Sequence, residues 1–124
     1  MSFILRRLFG TSPSGTMEAA QKKAQQLIDE NAVMVFSKSY CPYCTRTKQI
    51  LDGLNAKYKA IELNLLDDGA DIQNALLNLT GQRTVPNIFI GRNHIGGNSD
   101  LEEVSRNGKD GKSLEELLKD AGAL

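Results

Sequence analysis

The chain has 124 residues, which suits one domain, and its 40% hydrophobic and 24% charged residues are typical of a folded protein. The formal net charge is zero, so no overall field attracts nucleic acid or an anionic membrane surface. Apolar runs are far too short to span a bilayer. We therefore expect a protein that works without nucleic acid and without a membrane.

The start of the chain differs in composition from the rest. It carries Arg6 and Arg7, several Ser and Thr, and no acidic residue through position 16. Organelle-targeting segments have this composition, but two arginines are few, and we favour a flexible tail. Residues 11–16 resemble a linker because they contain Ser, Thr, Pro and Gly. We predict a tail or targeting segment over 1–16, a domain over 17–124, and a cytoplasmic location, with a mitochondrial one as the alternative.

The first half of this domain has the pattern of helix, strand and helix. Apolar residues at helical spacing, among them Ala24 and Ile28, alternate with Gln and Lys. A continuous apolar run at 33–36 is typical of a strand that is buried on both faces. Helical spacing resumes from Pro42 to about Ala56. The cysteine pair therefore falls where a buried strand meets a helix.

A second strand and a third helix follow. Ile61, Leu63 and Leu65 alternate with polar residues, which predicts a strand. The apolar residues Ile72, Ala75, Leu76 and Leu79 recur with helical spacing, which predicts a third helix. Gly81 then ends this helix.

Turn and capping signals define the rest of the chain. A Gly-Arg-Asn sequence at 91–93 separates two apolar runs, which predicts a β-hairpin. Capping boxes of Ser99 with Glu102 and of Ser113 with Glu116 predict the starts of two helices. A βαβ unit followed by a hairpin predicts an α/β fold, a four-stranded mixed sheet with about five helices on both faces.

The two cysteines, Cys41 and Cys44, are three residues apart. A disulfide between them closes almost no loop, so it adds little stability. A structural zinc site needs four ligands, and the chain adds only His94, which we interpret as structural. We expect no metal site. A Cys-x-x-Cys pair beside a βαβ unit instead indicates thiol–disulfide chemistry.

The predicted helix start makes the two thiols unequal. Pro42 suits the first helical position, so Cys41 becomes the N-cap residue. Its sulfur would face free N–H groups, the positive end of the helix dipole and the nearby Lys38, all of which favour the nucleophilic thiolate. Cys44 lies one turn into the helix. We predict that Cys41 attacks and that the more buried Cys44 resolves.

Three motifs carry a resemblance to a known family. Tyr-Cys-Pro-Tyr-Cys at 40–44, Thr-Val-Pro at 84–86 and Gly-Gly-Asn-Ser-Asp at 96–100 are similar in order and spacing to those of the dithiol glutaredoxins. Thioredoxins usually carry Gly-Pro between their cysteines and lack the third motif. The resemblance implies a thioredoxin fold and a glutathione-dependent oxidoreductase that reduces protein–glutathione mixed disulfides and protein disulfides.

The resemblance also implies a glutathione site. A cis-proline at Pro86 would let the Val85 backbone pair with the cysteinyl residue of glutathione. Backbone N–H groups at Ser99 and Asp100 would hold the γ-glutamyl carboxylate, and the Asp100 carboxylate its ammonium. Other positions would flank the groove or face the glycine carboxylate. The predicted glutathione-binding residues are Lys38, Tyr43, Gln73, Arg83, Thr84, Val85, Pro86, Gly97, Ser99 and Asp100.

The implied reaction uses glutathione as a co-substrate and no tightly bound cofactor. The expected partners are glutathione, glutathionylated or disulfide-containing proteins and, indirectly through oxidised glutathione, glutathione reductase; we expect a monomer. The alternative is a dimer that binds an iron–sulfur cluster through the first cysteine and glutathione, against which Pro42 argues because it stiffens the loop. A structural interaction domain without turnover is a third interpretation.

Overall fold

The computed structural model describes residues 13–124. The two arginines of the predicted tail lie outside these residues. The first helix begins at Pro13, inside the segment predicted to be a linker. Proline is tolerated there because the N–H that it lacks would have no partner in the first turn of a helix.

The sheet has four strands in the order β2-β1-β3-β4. Strand β1 runs parallel to β2 and antiparallel to β3, and β3 pairs with β4 in antiparallel fashion. This confirms the predicted mixed sheet. The elements are α1 (Pro13–Glu30), β1 (Val33–Ser37), α2 (Pro42–Gly53), β2 (Lys59–Glu62), a 3-10 helix (Leu63–Leu65), α3 (Gly69–Thr80), β3 (Asn87–Ile90), β4 (Asn93–Gly96), α4 (Asn98–Asn107) and α5 (Leu114–Asp120).

Every residue of β1 is buried, because helices cover both faces of the sheet. Val33 and Val35 point to one side, where they join a core cluster with residues of α2, α4 and α5. Met34 and Phe36 point to the other side and pack with residues of α1 and α3. The ring of Phe36 meets that of Phe89 edge-on, with centroids 5.9 Å apart. Among the described residues, no helix is both long and apolar enough to cross a bilayer.

One sequence prediction in the middle of the chain, the extent of the second strand, is wrong in detail. Strand β2 ends at Glu62, and Leu63–Leu65 forms a 3-10 helix that buries Leu63 and leaves Leu65 69% exposed. The chain turns here because α3 packs back on this segment: a Cβ on Gly69 would lie 1.8 Å from the Leu63 carbonyl oxygen. Leu79, the last apolar residue of the predicted third helix, is 43% exposed because it lies outside the buried stripe of α3.

The hairpin and the last two helices follow their local signals with one exception. Gly91 and Arg92 both have positive φ and connect β3 to β4, so Asn93 already belongs to the strand. The capping box at Ser113 is present, with both hydrogen bonds made. The one at Ser99 is not: α4 begins at Asn98, and Gly97 is its N-cap.

The sheet topology brings the three motifs to one edge. Cys41 lies four residues beyond the end of β1. The antiparallel strand β3 begins beside that end, because Asn87 pairs with Phe36. Strand β4 ends there as well, since Gly96 pairs with Ile88. The segments that follow β1, precede β3 and follow β4 are therefore neighbours.

Candidate functional site

Cys41 is the N-cap of α2, as the sequence predicts. Its half-buried sulfur accepts a hydrogen bond from the backbone N–H of Cys44 at 3.3 Å. Its own backbone N–H donates to the Lys38 carbonyl at 3.1 Å, which holds the loop before the helix. An N–H donor and the positive end of a helix dipole both favour negative charge on the atom that they face. The arrangement therefore suits a nucleophile.

Cys44 differs from Cys41 in exposure. Only 1% of it is exposed, and both cysteines are free thiols. Burial is the main cause that raises the pKa of the Cys44 thiol, and its contact with the Cys41 side chain raises it further. Cys44 therefore holds its proton at neutral pH, and it must lose that proton before it can attack a disulfide.

The loop before β3 lies against Cys41. The Val85–Pro86 peptide bond is cis, and the Val85 carbonyl oxygen is 3.9 Å from Cys41 Sγ. The Gln82 side-chain amide donates to the carbonyls of Thr84 and Pro86, each at 3.1 Å. Sequence reasoning missed Gln82, since an isolated glutamine gives no motif. The Gln82 side chain holds the backbone of residues 84–86, which faces the Cys41 sulfur.

A second glutamine holds the start of the same loop. Gln73 is 6% exposed, and its Nε2 donates to the Arg83 carbonyl at 2.7 Å. The Arg83 side chain is exposed, with Nε donating to Asn74 Oδ1 at 3.0 Å. The structure thus places Gln73 behind the loop, while Arg83 extends into solvent.

Two further predicted residues lie on the cysteine side of the site. Lys38 is partly exposed and comes directly after β1. Tyr43 is 57% exposed, and the guanidinium of Arg46 lies over its ring, 5.2 Å from the centroid. This contact orients the Tyr43 ring within the cysteine motif.

The start of α4 forms the third side. The Gly97 N–H donates to Asp100 Oδ2 at 2.8 Å, so Asp100 rather than Ser99 closes the helix start. The N–H groups of the first helical turn, including those of Ser99 and Asp100, have no acceptor within the helix. Gly96 has a φ of 122°, and a Cβ there would lie 2.3 Å from Asp100 Oδ2. Glycine is therefore required at position 96, where the backbone comes close to the Asp100 carboxylate.

A cleft of about 310 Å³ runs between these elements. It is lined by Tyr43, Arg46, Thr84, Val85, Pro86, Gly97, Asn98, Ser99 and Glu102. A larger cavity of about 480 Å³ is lined by residues of the β3–β4 hairpin and residues 109–121, and no residue of the three motifs lines it. We place the functional site at the smaller cleft, because the motif residues line it.

His94 lies in the hairpin and not at the cysteines. Its Nε2 is 2.8 Å from Oδ1 of the buried Asn87, and its ring packs against Phe89 with centroids 5.1 Å apart. Burial is the main cause that lowers the pKa of His94. The contacts tie β4 to β3.

A buried polar contact joins the two helices that flank the cleft. Thr47 on α2 donates from Oγ1 to Asn98 Oδ1 on α4 at 2.9 Å, and both side chains are buried. Asn98 Nδ2 in turn donates to Glu102 Oε1 at 2.8 Å. The sequence does not predict this contact, because Thr47 and Asn98 lie 51 positions apart in the chain.

Thr47→Val is expected to lower the free energy of unfolding by about 1–3 kcal/mol, because it leaves the buried Asn98 oxygen without its donor. Urea denaturation measures this change. Thr45→Val is the matched control, since Thr45 lies on the exposed side of the same helix. An equal effect of the two substitutions would contradict the importance of the buried contact.

Comparisons with known proteins agree with this geometry. The family model described as Glutaredoxin matches residues 33–95, which include both cysteines and the cis-proline. The chain is 52% identical over 105 residues to Glutaredoxin-C2 of Arabidopsis thaliana, covering 85% of this chain and 91% of that protein. It is also similar to the crystal structure of a buckwheat glutaredoxin–glutathione complex, with a TM-score of 0.85, 48% identity and coverage of 91% and 99%.

Proposed function

This chain belongs to the glutaredoxin family and is a glutathione-dependent thiol–disulfide oxidoreductase with a thioredoxin fold, and we propose which of its residues bind glutathione and which react. Glutathione lies in the cleft between the cysteine motif, the 84–86 loop and the start of α4. The observation that carries this proposal is the position of Cys41, whose capped sulfur is 3.9 Å from the Val85 carbonyl.

The Val85 backbone aligns the centre of glutathione. An extended peptide pairs with a free backbone edge, and the cysteinyl residue of glutathione is such a peptide. Pairing with Val85 brings its sulfur next to Cys41 Sγ, because those two protein groups are already neighbours. The Gln82 amide supports this role, since it holds the carbonyls on both sides of Val85.

The two ends of glutathione meet opposite charges. The γ-glutamyl carboxylate binds the N–H groups of Ser99 and Asp100, where a helix start favours an anion. The Asp100 carboxylate accepts from the γ-glutamyl ammonium. Lys38 and Arg83 attract the glycine carboxylate as cations. Gln73 acts through its bond to the Arg83 carbonyl, which orients that loop.

The reaction is two successive thiol–disulfide exchanges. The Cys41 thiolate attacks the glutathione sulfur of a mixed disulfide, so a Cys41–glutathione disulfide forms and the protein thiolate leaves and takes up a proton. A second glutathione thiolate attacks the glutathione sulfur bound to Cys41, which releases oxidised glutathione and restores the Cys41 thiolate. The Cys44 N–H stabilises the sulfur anion at the start and at the end.

Cys44 reacts when a protein disulfide is reduced, since it displaces the protein held on Cys41. The protein partners are therefore glutathionylated or disulfide-containing proteins, and glutathione reductase returns the oxidised glutathione. The chain works as a monomer, because one copy supplies all sides of the cleft. Its location is cytoplasmic, with a mitochondrial one if residues 1–16 act as a targeting segment ahead of the domain at 17–124.

A turnover assay tests the proposal as a whole. The substrate is the mixed disulfide of glutathione with 2-mercaptoethanol, and glutathione reductase with NADPH reports the oxidised glutathione formed. The expected result is turnover that depends on Cys41. Folded, reduced protein without turnover would overturn the proposal.

Asp100→Asn tests the binding of the γ-glutamyl ammonium. Asparagine keeps an oxygen for the Gly97 N–H but removes the negative charge, so the KM for the mixed disulfide is expected to rise about 10-fold with kcat little changed. Asp67→Asn is the control, since Asp67 is exposed and belongs to none of the three motifs. An unchanged KM would refute the ammonium assignment.

A further inference from the structure

The loop at 82–86, between α3 and β3, is held by side-chain amides along most of its length. The carbonyl groups at positions 82, 83, 84 and 86 each accept a hydrogen bond from the side-chain amide of Gln73, Gln82 or Asn87. The remaining carbonyl, that of Val85, faces the Cys41 sulfur at 3.9 Å. The amides therefore fix the loop around the one residue whose backbone is proposed to pair with glutathione.

Gln82 is the centre of this arrangement. Its side-chain Nε2 donates to the carbonyls of Thr84 and Pro86, each at 3.1 Å. Its backbone N–H donates to Thr80 Oγ1 at the end of α3, at 3.0 Å. Its own carbonyl accepts from Asn87 Nδ2 at the start of β3, at 3.3 Å. The Gln82 backbone is thus held from both ends of the loop, which fixes the position from which its side chain reaches.

The orientation of the Asn87 amide depends in turn on His94. Asn87 is 1% exposed, and its Oδ1 is 2.8 Å from Nε2 of His94 on β4. An amide oxygen only accepts, so the imidazole Nε2 carries the hydrogen and donates. This bond directs the NH2 end of Asn87 at the Gln82 carbonyl. A half-turn of the amide would instead bring its oxygen against that carbonyl oxygen and lose both hydrogen bonds.

We propose that His94 is a positioning residue for glutathione, which acts through Asn87 and Gln82 to hold the loop at 82–86 beside Cys41. The inference rests on the proposed function, because it concerns the pairing of Val85 with the cysteinyl residue of glutathione. His94 itself takes no proton in the reaction and touches no reacting sulfur. With the loop already ordered, glutathione binding does not have to supply the free energy of ordering it.

His94→Phe tests this role, because it keeps an aromatic ring against Phe89 and removes only the donor to Asn87. The Val85 pairing is made in the bound substrate and in the transition state alike. Its weakening is therefore expected to raise the KM for the mixed disulfide of glutathione with 2-mercaptoethanol about 5-fold, with kcat within about twofold. Alkylation of Cys41 by iodoacetamide is expected to keep its rate, since that reagent does not use the loop.

Two further variants test the hydrogen bonds themselves. His94→Gln supplies an amide Nε2 that can donate to Asn87, and it is expected to bring the KM back to within about twofold of that of the unsubstituted chain. Gln82→Glu has the same size as the native residue but replaces the donor amide with an oxygen. It is expected to raise the KM about 10-fold, because a carboxylate repels the carbonyls of Thr84 and Pro86.

Ile95→Ala is the control for a general loosening of β4. The Ile95 side chain packs against the core cluster that contains Val33 and Val35, and it takes no part in these hydrogen bonds. The variant is expected to be less stable to urea and to keep its KM within about twofold.

An unchanged KM in either His94→Phe or Gln82→Glu overturns the inference. It is also overturned by an equal rise in His94→Phe and His94→Gln, because the donor at position 94 would then not matter. A rise of the same size in Ile95→Ala would overturn it as well, since any weakening of β4 would then have the same effect. Failure of the unsubstituted chain to turn over would instead overturn the proposed function.

Discussion

Cys41→Ser is expected to lower kcat/KM for glutathione mixed disulfides by at least about 1,000-fold, because a serine hydroxyl is not ionised at neutral pH and cannot replace a thiolate nucleophile. Cys44→Ser is expected to retain a substantial part of this activity, since the second glutathione releases the first from Cys41 without Cys44. The assay coupled to glutathione reductase measures both variants. Reduction of a protein disulfide by the two thiols, by contrast, requires both cysteines.

The Cys41→Ser variant is expected to keep the fold. Serine is among the preferred N-cap residues, so its hydroxyl can accept the N–H bond that the Cys41 sulfur accepts in this structure. Far-ultraviolet circular dichroism and thermal unfolding of the variant check this expectation. Equal loss of activity in Cys41→Ser and Cys44→Ser would contradict the division of roles between nucleophile and resolving thiol.

Phe36→Ala is expected to lower the free energy of unfolding by about 3–5 kcal/mol. The side chain is fully buried on the α1 and α3 side of the sheet and packs edge-on against Phe89, so its removal leaves a cavity and breaks an aromatic contact. Urea denaturation measures the change as a lower urea concentration at the midpoint of unfolding, while the dependence of the unfolding free energy on urea concentration stays the same.

The control for this variant is Leu79→Ala, because Leu79 is a large apolar residue that is mostly outside the core. Its effect is expected to stay within about 0.5 kcal/mol. Similar losses in the two variants would contradict the core position of Phe36. A domain with a stability of about 10 kcal/mol, the middle of the usual range, stays folded after this loss, and the folded variant is then expected to keep its turnover.

Local signals in the sequence predicted the local structure around the cysteines and in the turns well. Pro42 alone predicted the N-cap position of Cys41, because the geometry of a helix start depends on a few adjacent residues. The turn at 91–93 and the capping box at Ser113 were predicted for the same reason. The unequal burial of the two cysteines followed from their one-turn spacing.

Predictions that depended on packing were less accurate. The alternation of apolar and polar residues predicted a strand that continues to Leu65. In the structure β2 ends at Glu62, because Gly69 packs against Leu63 and the chain turns there. A Ser-x-x-Glu sequence at Ser99 matched a capping box, but Asp100 bonds to Gly97 and starts the helix earlier. In both places a contact with a neighbouring segment or residue outweighed the local pattern.

Residues 41–44 were enough to predict that Cys41 caps a helix and that Cys44 lies one turn inside it, because both follow from the position of Pro42 at the helix start. The surroundings of the two thiols depend instead on the tertiary structure. Three contacts illustrate this. Gln82 donates to the carbonyl of Pro86, Thr47 donates to Asn98, and the Ser37 hydroxyl donates to Glu62. Strand register and helix packing bring these partners together, and no periodicity or spacing along the chain encodes that proximity.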